Sequence, residues 1–123
     1  MTKSLTLEDK INKILEYCKY TKQLATDAGH NVRYLVEIEN TVEIGTEQQR
    51  TVGIQTGYTA DTRTFLHSAI NQAVIDARWH SQNYNCLSSV KVCIRTYNSE
   101  CELIDEDPID EYEINFENGI EVQ

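Results

Sequence analysis

The sequence predicts an α+β fold in which an antiparallel sheet of about four to five strands carries two helices on one face. The spacing of apolar residues supports this, because it switches between the helical period of about 3.6 and the strand period of about 2. Short polar segments between successive strands indicate antiparallel neighbours. The predicted order is α-β-β-α-β-β-β, within one domain spanning residues 1–123 whose last strands, from about residue 100, are acidic.

The first predicted helix begins after Thr6. Thr6 and Asp9 have a variant of the spacing of a capping box, in which each residue's side chain bonds the other's backbone N–H. Gly29 is predicted to end the helix in a left-handed conformation. Between these ends, apolar residues recur at helical spacing: Leu7, Ile11, Ile14, Cys18 and Ala25.

Two strands are predicted next, as an antiparallel hairpin. From His30 the apolar residues alternate, and a second alternating run extends from about Arg50 to Tyr58. Gly53 and Gly57 fall on one face of that second run, which predicts that something packs closely against them. A second helix then follows, with its buried stripe formed by Leu66, Ala69, Ile70, Ala73, Val74 and Ala77.

The last third of the chain predicts three strands. Val90, Val92 and Ile94 alternate with polar residues in the first of them. If Asn98 and Ser99 form a two-residue turn, Arg95 faces Glu102 and Ile94 faces Leu103 in the second. A break at 105–108 then precedes a last strand from Ile109.

Negative charge is concentrated at the C-terminal end. The chain carries a net charge of −9, yet its first 99 residues hold ten acids and eleven bases. Ten acids and no Lys or Arg follow. Such asymmetry is typical of a solvated segment or of a surface directed at a basic partner. The ten acids are Glu100, Glu102, Asp105, Glu106, Asp107, Asp110, Glu111, Glu113, Glu117 and Glu121.

No catalytic or metal-binding pattern stands out, so we expect a protein that is not an enzyme and has no cofactor. His80, Cys86, Cys93 and Cys101 have separations unlike those of zinc modules, and buried reduced thiols are the simpler interpretation. The charged N-terminus and the lack of an apolar run of about 20 residues predict a cytoplasmic protein, in the host cell if it is viral.

The leading hypothesis is a non-enzymatic inhibitor or adaptor that binds a basic, nucleic-acid-binding protein. A few charged side chains are enough to stop an exposed strand edge from pairing with another sheet, and ten acids exceed that need. We therefore interpret the segment as a set of carboxylates that replace phosphates in the partner's groove. The small size, the lack of a catalytic motif and the uneven charge resemble phage-encoded anti-defence proteins that mimic nucleic acid. The predicted partner-binding residues are Asp105, Glu106, Asp107, Asp110, Glu111, Tyr112, Glu113, Glu117 and Trp79.

The alternative is a protein that binds or sequesters a small, nucleotide-like molecule at the start of the second helix. Backbone N–H groups at a helix N-terminus attract anions, and Thr62, Arg63, Thr64 and His67 lie there. Plain helix capping explains the same residues, and Asp61 would repel an anion.

Trp79 has two open interpretations, as a stacking side chain or as a cover for the core. A homodimer through the last strand is also compatible with the sequence.

Overall fold

The computed structural model describes residues 5–60 and 63–122, with side chains described except at 54–60 and 63–64. The predicted order of elements is confirmed. No helix in these residues is long and apolar enough to cross a membrane. The elements are α1 (Leu7–Asp27), β1 (Asn31–Val42), β2 (Arg50–Ala60), α2 (Arg63–Asn83), β3 (Cys86–Tyr97), β4 (Leu103–Glu117) and β5 (Ile120–Val122).

Helix α1 begins and ends as its sequence predicts. The Asp9 N–H donates to the Thr6 hydroxyl at 3.1 Å, and the Thr6 N–H donates to the Asp9 carboxylate at 3.2 Å. At the other end Gly29 adopts φ +80°, and the His30 N–H donates to the Ala25 carbonyl at 2.8 Å. Because these bonds satisfy groups that the helix leaves unpaired, both ends are fixed locally.

The five strands form one antiparallel sheet in the order β2-β1-β3-β4-β5. Both helices cover one face, here called the helix face, and the other is the open face. Val36 and Val92 are directly opposed on the helix face and are almost fully buried. The largest fully buried side chains, which fill the space between sheet and helices, include Phe116, Leu15, Ile38, Leu66, Ile70, Ile94 and Ile114.

The β1–β2 hairpin forms as predicted, with a register shift between Val36 and Ile38. The prediction of close packing at Gly53 is wrong: a Cβ there would meet no atom within 4 Å. Gly57 lies among the residues whose side-chain surroundings fall outside the described part of the chain. The glycine at 53 is therefore not required by a neighbouring group.

The predicted β3–β4 turn is wrong. Arg95 pairs with Glu106 and Ile94 with Asp107, because the chain turns through residues 98–102 instead of 98–99. Asn98 Oδ1 accepts the N–H groups of Glu100 and Glu102, each at 2.9 Å, and so organises this longer loop.

The predicted break at 105–108 is also wrong. Strand β4 runs 15 residues without interruption, with Pro108 inside it and opposite Cys93. A register shift between Val90 and Val92 instead displaces the chain between Ile109 and Ile114. Most of the acidic segment is thus one long strand, with Glu100 and Glu102 in the loop before it and Glu121 in β5.

Candidate functional site

The acidic segment forms a partly unpaired edge of the sheet. Strand β3 pairs with β4 from Leu103 to Glu117, whereas β5 pairs with only Asn115, Phe116 and Glu117 on the other side. Within the part of the chain that the structure describes, residues 103–114 of β4 therefore have no strand neighbour on the side away from β3, and residues 110–113 have no register partner on β3. Unpaired N–H and C=O groups along such an edge are able to bind another extended chain.

The acids of β4 lie on both faces of the sheet. Asp105 and Asp107 oppose Thr96 and Ile94, so they lie on the helix face, whereas Glu106 opposes Arg95 on the open face. The acids of β4 therefore do not form one row along a single face of the sheet. Asp107 is half-buried, and the exposed acids are Asp105, Glu106, Asp110, Glu111, Glu113 and Glu117.

Polar contacts join three of the acidic residues of β4 to other elements. Glu106 lies 3.1 Å from the Arg95 guanidinium, and Tyr17 of α1 donates its hydroxyl to Asp107 at 2.6 Å. Lys10 Nζ donates to the backbone carbonyl of Glu113 at 2.9 Å. Among the described residues no hydrogen bond or ion pair engages the carboxylates of Asp105, Asp110, Glu111 and Glu117. These four are thus the carboxylates open to a partner.

The Tyr17–Asp107 contact raises the pKa of the tyrosine. The hydrogen bond to Asp107 is the main cause, and partial burial and the negative charge of Asp107 add to it. The neutral phenol is therefore held as a donor. This contact joins α1 to the middle of the acidic strand. Tyr17 was in neither of the two sets of site residues predicted from the sequence, the partner-binding set and the ligand-binding set.

Exposed apolar side chains accompany the acids. Leu103 and Ile104 at the start of β4 are each close to half exposed. On α1, Tyr20 and Leu24 follow Tyr17 at helical spacing and are also exposed. A surface that combines charge with apolar area is typical of a protein interface.

Of the two aromatic anchors predicted from sequence, only Trp79 is largely exposed. Tyr112 is partly buried against the core, whereas the Trp79 side chain is 52% exposed. Trp79 forms edge-on contacts with His80 and Tyr84, at centroid distances of 5.7 and 5.5 Å. The interpretation of Trp79 as a cover for the core is therefore not supported, and its described ring contacts lie at the end of α2 instead of on β4.

No family model, curated protein or solved structure matches this chain.

The predicted ligand site at the start of α2 lies mostly outside the described part of the chain. Thr62 is not described, and the side chains of Arg63 and Thr64 are not described either. Helix α2 does begin at Arg63, and His67 is exposed one turn later. The arrangement of these four side chains therefore lies outside the described part of the chain.

The thiols are dispersed, and two of them, Cys18 and Cys93, are poorly suited to nucleophilic attack. Burial raises the pKa of Cys18 to about 12, and burial together with the charge of Glu106 raises that of Cys93. Cys86 is buried beside Ser88, and Cys101 lies in the loop between β3 and β4. Within residues 5–60 and 63–122, no three His, Cys, Asp or Glu side chains form a group able to hold a metal ion.

A buried polar network lies under the end of α2, and the sequence patterns did not predict it. Ser88 Oγ donates to Asn40 Oδ1 at 2.7 Å, so the Asn40 amide nitrogen donates to His80 Nδ1 at 3.2 Å. The ring nitrogen Nδ1 is therefore an acceptor. The sequence did contain a sign of this network, because Asn40 and Ser88 are polar residues at helix-face positions of strands that are otherwise apolar on that face.

Proposed function

We propose that this protein is a non-enzymatic binding protein, an inhibitor or adaptor, that engages a basic protein partner through β4. The observation that carries the proposal is the combination of an unpaired strand edge with four carboxylates that no described residue engages. The edge supplies backbone hydrogen-bonding groups, and the carboxylates supply charge complementarity.

Charge at this edge also selects the kind of partner. A second copy of the chain would bring acids against acids, which is unfavourable, whereas an extended segment rich in Lys and Arg would find complementary charge. The exposed Leu103 and Ile104 add apolar area at one end of the same edge. Specificity thus comes from repulsion as well as attraction.

The finer proposal is that the basic partner binds nucleic acid, and that the protein competes with it. Surfaces that bind phosphate backbones are rich in Lys and Arg, and their binding weakens steeply with salt. A carboxylate-rich strand is complementary to the same surfaces. An anti-defence role of the phage type is one form of this function.

A matched pair of charge variants tests the proposal. One variant combines Asp105→Asn, Asp110→Asn, Glu111→Gln and Glu117→Gln, and the control combines Glu16→Gln, Asp27→Asn, Glu43→Gln and Glu47→Gln. Both change the net charge equally, but the control acids belong to α1 and to the segment between β1 and β2 instead of to β4. Each variant and the native chain serve as bait in pull-downs from host lysate at low and at high salt. The affinity of each bait for every retained protein is then measured.

We expect the native and control proteins to retain a basic partner that salt releases and that nucleic acid displaces. The β4 variant should associate more slowly and bind at least about tenfold more weakly. An equal loss of affinity in both variants would show that net charge alone causes the effect, and it would contradict the role of β4. Retention that nucleic acid does not affect would contradict the finer proposal alone.

A further inference from the structure

A narrow groove lies at the edge of the sheet between α1 and β4. It has a volume of about 110 Å³ and is lined by Tyr17 of α1 and by residues 108–111 of β4. Tyr17 approaches from the helix face, where its hydroxyl bonds Asp107, and β4 supplies the other wall at the sheet edge itself. The groove therefore lies along the edge that we propose as the partner-binding surface.

The size of the groove limits what it is able to hold. Pockets for small molecules commonly have volumes of roughly 300–1,000 Å³, so a space of about 110 Å³ is suited to a single side chain. Pro108 and Ile109 of its lining are apolar, and the Tyr17 side chain is 38% exposed. These residues favour a long side chain with an apolar stem.

The rim of the groove is negative. Asp110 and Glu111 line it, and within residues 5–60 and 63–122 no hydrogen bond or ion pair engages their carboxylates. Asp107 adds a third negative charge, because its partner Tyr17 is a neutral phenol and does not cancel that charge. A cationic side chain of a partner would therefore find complementary charge at the groove.

The combination of a ring and several carboxylates selects arginine over lysine. A guanidinium is planar, stacks on aromatic faces and bonds carboxylates through two parallel N–H groups, whereas an ammonium is a compact, strongly hydrated charge. The bond to Asp107 restrains the Tyr17 ring, so a stacked side chain meets a preformed wall. We infer that the groove binds an arginine side chain of the partner, which stacks on Tyr17 and bonds Asp110 or Glu111.

The backbone beside the groove is able to hold the segment that carries this arginine. Residues 110–113 have no register partner on β3, and β5 pairs only with residues 115–117 of β4. An extended segment of the partner is therefore able to bond this part of β4 while its arginine enters the groove. The inference rests on the proposed function, because it names the anchor residue of the same basic partner.

Synthetic peptides test the arginine anchor. Each is an extended sequence in which Lys and Val alternate around a central arginine, lysine or citrulline, and citrulline has the shape of arginine without its charge. The affinity of each labelled peptide for the full chain is measured by fluorescence anisotropy at low salt, where charges are least screened. We expect the arginine peptide to bind at least about fivefold more tightly than the lysine peptide, and the citrulline peptide to bind most weakly.

A pair of tyrosine variants tests the role of the ring. Tyr17→Leu removes the ring, and Tyr20→Leu is the matched control, because Tyr20 lies on the same helix, is 64% exposed and lies outside the lining of the groove. Tyr17→Leu should abolish the preference for arginine over lysine, whereas Tyr20→Leu should retain it. Tyr17→Phe keeps the ring without the bond to Asp107, and it should retain most of the preference.

Two pairs of charge variants test the rim. Asp110→Asn with Glu111→Gln removes the acids that line the groove, and Asp105→Asn with Glu117→Gln removes two open carboxylates of β4 outside it. Both pairs should weaken binding of the lysine peptide, but only the first should remove the preference for arginine. A preference that survives both Tyr17→Leu and the first pair would overturn the inference.

Failure of this inference is distinguishable from failure of the proposed function. If the native protein binds the arginine and lysine peptides equally and the four-acid β4 variant weakens both, the arginine anchor is wrong and the acidic edge remains the binding surface. Peptide binding that the four-acid variant does not weaken would contradict both proposals. Absence of binding by every peptide at millimolar concentration would overturn the arginine anchor, and the pull-downs test the proposed function separately.

Discussion

Arg33 and Arg95 face each other across β1 and β3, and Glu106 lies beside Arg95 on the next strand. The row Arg33, Arg95, Glu106 therefore contains one repulsive pair and one attractive pair. Because the ion pair is partly exposed, with side chains 36% and 50% accessible, solvent weakens both effects.

Glu106→Gln should reduce the free energy of unfolding by less than about 1 kcal/mol, because it leaves the two arginines without a carboxylate. Adding Arg33→Gln to that variant should recover most of the loss, since the repulsion is then gone. Urea denaturation of the single and double variants measures both steps. If the double variant instead loses the sum of two separate losses in the free energy of unfolding, the three residues are not coupled.

Stability should fall at alkaline pH. Burial raises the pKa of Tyr34 to about 12, and the Tyr34 hydroxyl donates to the Cys18 carbonyl at 3.2 Å. The pKa of the Cys18 thiol is also raised to about 12 by burial. Since a raised folded-state pKa favours the protonated form, this stability is complete below about pH 9 and is lost between about pH 9 and 12.

Urea denaturation at intervals across that range, with intact and Tyr34→Phe proteins, checks the alkaline prediction. The raised pKa of Tyr34 corresponds to a contribution on the order of 3 kcal/mol. Tyr34→Phe should therefore flatten the alkaline decline, leaving the part that comes from Cys18. An identical decline in both proteins would contradict a role for the tyrosine.

Asn40→Ala should destabilise the fold by about 2 kcal/mol. The change removes the partner of both Ser88 and His80 Nδ1, and an unsatisfied buried polar group costs roughly 1–3 kcal/mol. Asn71→Ala is the matched control because Asn71 is exposed on α2. Thermal denaturation measures both, and an equal effect of the two changes would show that the network contributes little.

The four-acid β4 variant should self-associate more than the native protein. Acids on an exposed strand edge prevent pairing between copies, and neutral Asn and Gln remove that protection. Sedimentation velocity over a range of concentrations measures the change. The control variant with four neutralised acids elsewhere should behave like the native chain, and self-association in it would attribute the effect to net charge.

Local patterns predicted the elements but not all of their connections. The capping box at Thr6 and Asp9 and the left-handed Gly29 depend on neighbours within a few residues, so the sequence was sufficient. The β3–β4 register was missed because the Asn98 side chain builds a longer loop. Pro108 was interpreted as a break, but a proline is tolerated in an edge strand, where a missing N–H need not interrupt a ladder.

The sequence by itself determined the fold class, the order of elements and the concentration of acids after residue 99, because periodicity and composition are local properties. Only the tertiary structure decided that residues 103–114 of β4 lie at an edge of the sheet, that Tyr17 bonds Asp107 and that Arg33 opposes Arg95. These relationships join residues far apart in the chain. Strand order and register set them, and both are fixed by how the sheet and helices pack together.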